Sequence, residues 1–475
     1  MNTIVNTLKK PSIQYLILFP EIAVLTAILI SLTYGTGVAW DEAYTWHLSA
    51  EHSFSEIVEL TAADVHPPLY YFIGKISLGI FGRTLHVLSM TSVFPTVILM
   101  ILSAVLIRKR WGLMVSFLFN LSIALAPLLS YYNVESRMYS WMDFFVLSGL
   151  IFGRECLELE LSKKSLLYWI LFYLAGVGAV YTQYFGVLPI VVCYFWMGLT
   201  FLFRKEFKKI LSLLACAFLS IIGYLPWMGV LLKTYGTKGD TQNYEMSFSL
   251  LKFFEENYET NLMFSGITAL ILLAAAVILF LIFIKRFEKN EISFLFMLIF
   301  NVIFCLITAQ LIGAGNGHFF SSRYILYILP MFWLFESTVF AKLDLKIAGL
   351  FLIWTTVLCA SSYVGTYDYR YNMTPLMDKT VAFTDANIEE GAVIVYDFQT
   401  FDTVYSYYLP GHEFIYIDDL DINALRGQTF WIIRMGEERF SEEEQEAYNM
   451  KTEVYERFGY MGMERFALEK VMVAP

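Results

Sequence analysis

Unbroken apolar runs recur along the chain near 13–34, 86–107, 112–132, 138–154, 165–181, 185–203, 209–232, 262–284, 292–312, 323–340 and 346–364. As a helix, about 20 such residues span a hydrocarbon core of roughly 30 Å. The pattern therefore predicts eleven membrane helices. Leu69 to Phe81 is too short to cross and predicts a helix lying at the interface, in the first outer loop. Beyond residue 366 the pattern changes. Short β-like runs at Ala392–Tyr396, Phe414–Ile417, Phe430–Arg434 and Ala467–Val473 alternate with helix-like ones around Val404–Leu409 and Ser441–Asn449. Pro410-Gly411 reads as a turn, and Ser441 with Glu444 as a helix capping box. The expected architecture is an all-α polytopic membrane domain over 1–366, followed by a small α/β domain over 367–475.

Composition sharpens this reading. Of 475 residues 57% are hydrophobic and 16% charged, against about 25% charged in an ordinary soluble domain. That excess excludes a soluble enzyme and a disordered chain, and unbroken runs exclude a membrane β-barrel. The net charge of -10 belongs to the tail, which holds 21 acidic and 9 basic residues from Tyr367 onward. No basic surface points to nucleic acid. The five cysteines are odd in number and widely spaced, which predicts neither a disulfide framework nor a zinc site.

Lys and Arg cluster on alternate connections, among them Lys9/Lys10, Arg108-Lys109-Arg110 and Arg204/Lys205/Lys208/Lys209. By the positive-inside rule the N-terminus is expected in the cytoplasm and, with an odd number of spans, the tail outside, at a plasma membrane. The first run lacks a cleavage pattern after it and reads as a permanent anchor. With this sidedness the unusual polar residues collect at the outer surface: Asp41-Glu42, Asp64-Val65-His66-Pro67-Pro68-Leu69-Tyr70-Tyr71, Glu135-Ser136-Arg137-Met138-Tyr139, Gln183-Tyr184-Phe185-Gly186, Pro226-Trp227 and His318 to Tyr324. Charges of both signs at one membrane depth form a functional-site pattern. A carboxylate there can take a proton from an acceptor, while arginines hold a departing phosphate with their planar donors. Asp41 with Arg137, His66 and Arg323 fits that chemistry.

In this order, the segments from Asp41-Glu42 through Arg323-Tyr324 resemble the GT-C superfamily of polytopic glycosyltransferases, in particular the bacterial branch similar to protein O-mannosyltransferases and aminoarabinose transferases. The resemblance covers most of 15–340. It implies inverting transfer of a sugar from a polyprenyl-phosphate donor to a hydroxyl of an extracytoplasmic acceptor, with Asp41 as the catalytic base and His66 near the donor phosphate. Arg137 and Arg323 would join His66 on the phosphate. Glu42 would meet the acceptor or act as an acidic partner, and Glu135, Tyr139, Tyr71, Gln183 and Tyr184 would line the site. Many relatives carry His at the position of Gln183. No metal is expected, although some members of the wider superfamily hold a divalent ion at the acidic pair that Asp41 and Glu42 match.

Plainer readings compete. Asp41 and Glu42 can simply end a helix, His66-Pro67-Pro68 can be a turn, Arg137 can pair with Glu135, and Arg323 can snorkel to the interface. Asp419-Leu420-Asp421 reads as a solvated turn, and Gly313-Ala314-Gly315-Asn316-Gly317 as a flexible outer loop. The rival functions are a transporter or lipid flippase, which would carry ionisable groups near the middle of the bilayer, and an inactive lipid-binding protein.

Overall fold

The computed structural model describes residues 10–64, 66–237, 266–314, 321–389, 392–397, 401–435, 442–447, 450–460 and 463–473. The structure is mostly helical, with a small sheet near the C-terminus. Among the described residues seven helical stretches are long and apolar enough to cross a membrane: Pro11–Ser31, Leu85–Trp111, Lys163–Thr182, Tyr184–Arg204, Phe207–Lys233, Lys289–Ile312 and Lys346–Tyr371. Helices also occupy the other four expected runs, over Leu113–Leu125, Tyr139–Glu158, Gly266–Ile282 and Ile328–Lys342, but each is shorter or more polar than the seven. The expectation of eleven crossings therefore exceeds the seven that meet this measure. The short apolar run forms a helix over Leu69–Phe81. Pro20, Pro95 and Pro226 lie inside long apolar helices, a placement that helix packing in a membrane tolerates.

Contacts divide the chain into two units, Met1–Ser31 with His52–Thr366, and Leu32–Glu51 with Tyr367–Pro475. The sequence division at 366/367 leaves Leu32–Glu51 with the membrane helices, whereas the contacts group it with the tail. In the first unit, small residues let helices approach closely. A side chain at Gly149 would meet Ile190 at 2.8 Å, and one at Gly153 would meet Cys193 Sγ at 2.9 Å. The GLIFG stretch of helix Tyr139–Glu158 thus packs on helix Val187–Arg204 as a small-xxx-small seam. All five cysteines are buried thiols.

The second unit holds a five-stranded sheet of β1 (Val393–Tyr396), β2 (Glu413–Tyr416), β3 (Thr429–Met435), β4 (Met450–Tyr460) and β5 (Met463–Val473), in the order β2-β1-β3-β5-β4. β1 is parallel to β2 and β3, and β5 is antiparallel to β3 and β4. Alternate side chains leave opposite faces of a strand. Accordingly Ile394, Trp431 and Ile433 pack with Tyr405 and Leu409 in one core, while Val395, Phe430 and Ile432 pack with Val471 and Val473 in the other. The β-like runs of the sequence all fall on strands. β4 was not foreseen, because its run of Lys, Glu and Arg hides its alternation. Asp419 and Asp421 are exposed beside short 3₁₀ turns. Ser441, Val65, His318 and residues 315–317 of the glycine run lie outside the described residues, and Gly313 and Ala314 end the helix Lys289–Ala314.

Candidate functional site

The segment carrying Arg137 is an irregular loop whose buried backbone is held by side chains. Asn133 donates from Nδ2 to the carbonyls of Ile123 and Ala124 at 2.7 and 3.2 Å, and its Oδ1 accepts from Thr96 at 2.7 Å. Ser130 bonds Ser362 and Thr366 at 2.8 and 2.6 Å. Leu128 has φ +60°, a conformation costly for a branched side chain. The serines of helix Leu85–Leu102 grip the next residues. Ser89 bonds Ser136 at 3.0 Å, and Ser92 donates to the Arg137 carbonyl at 3.2 Å while bonding the Tyr70 hydroxyl at 2.8 Å.

So anchored, Arg137 is 2% exposed and donates from Nη1 to the Tyr71 hydroxyl at 3.4 Å. Two residues on, Tyr139 begins the next helix and its ring lies 5.9 Å from the Arg323 guanidinium. Tyr324 meets the His66 imidazole edge to face at 5.4 Å and stacks on Phe185 at 5.8 Å. His66, buried, faces Gln183 across 3.3 Å between Nδ1 and Nε2. His66, Tyr71, Arg137, Tyr139, Gln183 and Arg323 are thus joined by direct contacts and chain adjacency within the first unit.

Gln183 owes its place to a break in the helices. Its extended backbone ends helix Lys163–Thr182, and a 3₁₀ turn over Tyr184–Gly186 follows. A side chain at Gly186 would lie 2.7 Å from the Ala179 carbonyl, so only glycine lets the turn fold back. Tyr184 goes elsewhere: its hydroxyl accepts from Trp227 Nε1 at 3.0 Å, and it packs with Tyr224 and Trp227. Glu135 is buried and accepts from the Tyr131 hydroxyl at 3.3 Å.

In the second unit, Asp41 and Glu42 occupy the first turn of helix Trp40–Glu51. Asp41 is half-buried. Glu42 is 1% exposed. Its carboxylate accepts from the Ala39 amide at 3.1 Å and pairs with Arg370 at 3.4 Å. The Ala39 bond is half of a capping box.

Sequence reasoning missed Tyr324 as a ring on His66, and it missed Asp143 and Arg370. Asp143 is signalled by an acid inside an apolar run, one helical turn after Tyr139 and so on the same face. Arg370 has no local signal. Ser140 Oγ, Asp143 Oδ1 and Gln183 Oε1 are buried with no hydrogen-bond partner among the described residues. Buried polar atoms normally find partners, so Gln183, which faces His66, retains hydrogen-bonding capacity for a polar ligand. Among the described residues no three His, Cys, Asp or Glu side chains form a metal-type group.

Neither a protein-family model nor a curated protein sequence matches the chain. Solved structures do. ArnT from Cupriavidus metallidurans in the apo state matches with a TM-score of 0.60 and 12% identity, covering 95% of this chain and 97% of that one. ArnT from the same organism bound to undecaprenyl phosphate matches with a TM-score of 0.59, 12% identity and the same coverage. The Archaeoglobus fulgidus oligosaccharyltransferase gives a TM-score of 0.47 at 12% identity over 87% of this chain and 67% of that one. The protein has the fold of ArnT over nearly its whole length, the fold expected from the aminoarabinose-transferase resemblance.

Proposed function

We propose that the protein is a membrane glycosyltransferase that moves a sugar, with inversion, from a polyprenyl-phosphate donor to an acceptor hydroxyl outside the cytoplasm. The observation that carries this reading is the buried cluster of Arg137, His66, Gln183 and Tyr71, with Arg323 over Tyr139, on the fold of a protein solved with undecaprenyl phosphate. A guanidinium is matched to phosphate oxygens, and in a water-poor site fixed donors stabilise a leaving phosphate strongly. Arg137 is the leading phosphate ligand in this proposal, with His66 and Arg323 assisting. Tyr71, Tyr139, Gln183 and Glu135 form the polar lining. Tyr184, held by Trp227, is a wall residue.

Asp41 is the proposed base, on the strength of the sequence resemblance. No divalent ion is invoked at Asp41 and Glu42, because the Glu42 carboxylate is committed to Arg370 and the Ala39 amide. Eleven spans, a cytoplasmic N-terminus and an extracytoplasmic tail complete the proposal.

The test is negative-ion mass spectrometry of lipids that copurify with the protein, paired with transfer assays on the wild type and Asp41→Asn. The variant should accumulate an unreacted polyprenyl-phosphate sugar and lose transfer by roughly 10²–10⁴-fold, the usual worth of a general base. Wild-type turnover in the variant removes Asp41 from the mechanism.

A transporter is the second reading. It draws on Glu336, fully buried in helix Ile328–Lys342 with neither carboxylate oxygen bonded among the described residues, since a charge-bearing residue within a membrane commonly marks a pathway. Flux of a lipid-linked sugar across proteoliposomes without glycosidic cleavage would favour it.

A further inference from the structure

Helix Trp40–Glu51 has 12 residues, and an isolated helix of that length is marginal in water. Residues distant in sequence but of the same unit hold it. The Val38 amide donates to the Tyr408 hydroxyl at 2.8 Å. The Trp46 ring meets Tyr407 edge to face at 5.1 Å. His47 places Nε2 2.8 Å from the Thr403 carbonyl, with Ser406 Oγ at 3.0 Å, while its Nδ1 is 2.8 Å from Glu51. At the other end of the segment, Arg370 donates from Nε to the Leu32 carbonyl at 3.1 Å and from Nη2 to Thr36 Oγ1 at 3.3 Å and to Glu42 at 3.4 Å. Gly35, with φ +61°, turns the chain against the Tyr371 ring.

Ser406, His47 and Glu51 stand in the order of a nucleophile relay, but their hydrogen bonds are wrong for one. The Thr403 carbonyl can only accept, so Nε2 must carry its proton there, and the Ser406 hydroxyl donates to the Asp402 carbonyl. A relay needs Nε2 as the acceptor from serine. The group is a lock between helix Trp40–Glu51 and helix Phe401–Tyr408.

We propose that the C-terminal domain is a clamp on the base-bearing helix, and that Arg370, through Glu42, and Tyr408, through Val38, are positioning residues for Asp41. This rests on the reading of Asp41 as the base. Glu42 adjoins Asp41 in the same first turn, so the ion pair to Arg370 fixes the backbone that aims the Asp41 carboxylate. A base must stand within hydrogen-bond reach of its proton, and a displacement of about 1 Å costs on the order of 10²-fold in rate.

The experiment uses the full chain in nanodiscs, with a polyprenyl-phosphate sugar identified by the mass-spectrometric test. Arg370→Gln, Arg370→Lys and Tyr408→Phe are compared by hydrogen–deuterium exchange over 38–51 and by kcat and KM for the donor. In Arg370→Gln, exchange over 38–51 should quicken about tenfold and kcat should fall roughly 10- to 100-fold, with donor KM within about twofold of wild type because the proposed phosphate ligands are untouched. Arg370→Lys, which keeps the charge on Glu42, should recover part of kcat. Tyr408→Phe, which buries no unpaired charge, should show the same pattern at smaller size and stands in if Arg370→Gln fails to fold. Faster exchange with unchanged kcat overturns the positioning role. Unchanged exchange overturns the clamp. Full transfer by Asp41→Asn is a distinct failure: it refutes the base, and the positioning role with it, while exchange over 38–51 still decides whether the domain holds that helix.

Discussion

The polar cluster of the first unit and the Asp41 segment of the second are built in opposite ways. Around Arg137 the supports are apolar helices that exist for their own reasons, and the polar side chains are added at their ends: Ser89 and Ser92 on one helix, Tyr71 on another, Gln183 where a third breaks. Helix Trp40–Glu51 is short and polar, and its supports come from Arg370, Thr403 and Tyr408, more than 300 positions along the chain. The proposed phosphate ligand therefore stands on a scaffold that hydrophobic burial sets, while the proposed base stands on a helix held by contacts from the C-terminal residues. Changes to the cluster should act on donor binding, and changes to the clamp on turnover.

The largest test of this contrast after Asp41→Asn is Arg137→Ala. A charge-assisted hydrogen bond contributes about 1.5–3 kcal/mol, so donor KM should rise roughly 10- to 100-fold. Exchange over 38–51 should stay as in the wild type. An unchanged KM would take Arg137 off the phosphate, and faster exchange over 38–51 would break the separation of the two supports.

Legibility in the sequence follows the same line. Burial in a bilayer requires long apolar runs, so helices lie on every run the sequence marks, and the short helix Leu69–Phe81 keeps its expected ends. His66, Arg137, Gln183 and Arg323 were legible because polar residues at the ends of apolar runs are conspicuous. Asp143 was visible as an acid within such a run, but its burial with Oδ1 unpartnered among the described residues was not foreseen. Arg370 was not legible: it follows the last apolar run in a polar stretch, and nothing local says that its partner is Glu42. Helix Leu345–Asn387 likewise continues well past residue 364, where the apolar signal stops. β4 escaped because its charged residues mask the alternation that betrays a strand, although pairing with β5 sustains it.

Two smaller changes refine the contrast. Gly153→Leu places a side chain against Cys193 and Met197 in the first unit's seam, and overpacking of this kind costs typically 1–3 kcal/mol. The expected result is a lower thermal midpoint with exchange over 38–51 unaltered at 25 °C. A change confined to 38–51 would mean that this seam also holds the Asp41 helix.

The smallest effect concerns helix Phe54–Ala63, which begins just after the Asp41 helix ends yet carries its own cap. Ser53 Oγ accepts from the Glu56 amide at 3.3 Å, and the Glu56 carboxylate accepts from the Ser53 amide at 2.6 Å. Ser53→Ala should cost about 1 kcal/mol of local stability, read as faster exchange over 54–57 with 38–51 unmoved. The Ser53 amide, followed by its hydroxyl, holds the Glu56 carboxyl below its ordinary value. Because the folded value is the depressed one, the carboxylate's contribution is present above the unfolded pKa of about 4.3 and is lost as pH falls through the folded value. Wild type and Glu56→Gln should therefore differ in exchange over 54–57 at pH 6 and converge in strong acid. A difference that persists at the lowest pH would assign the cap to packing instead of charge. A helix with such a local device should keep its protection when Arg370 is replaced and its predecessor frays.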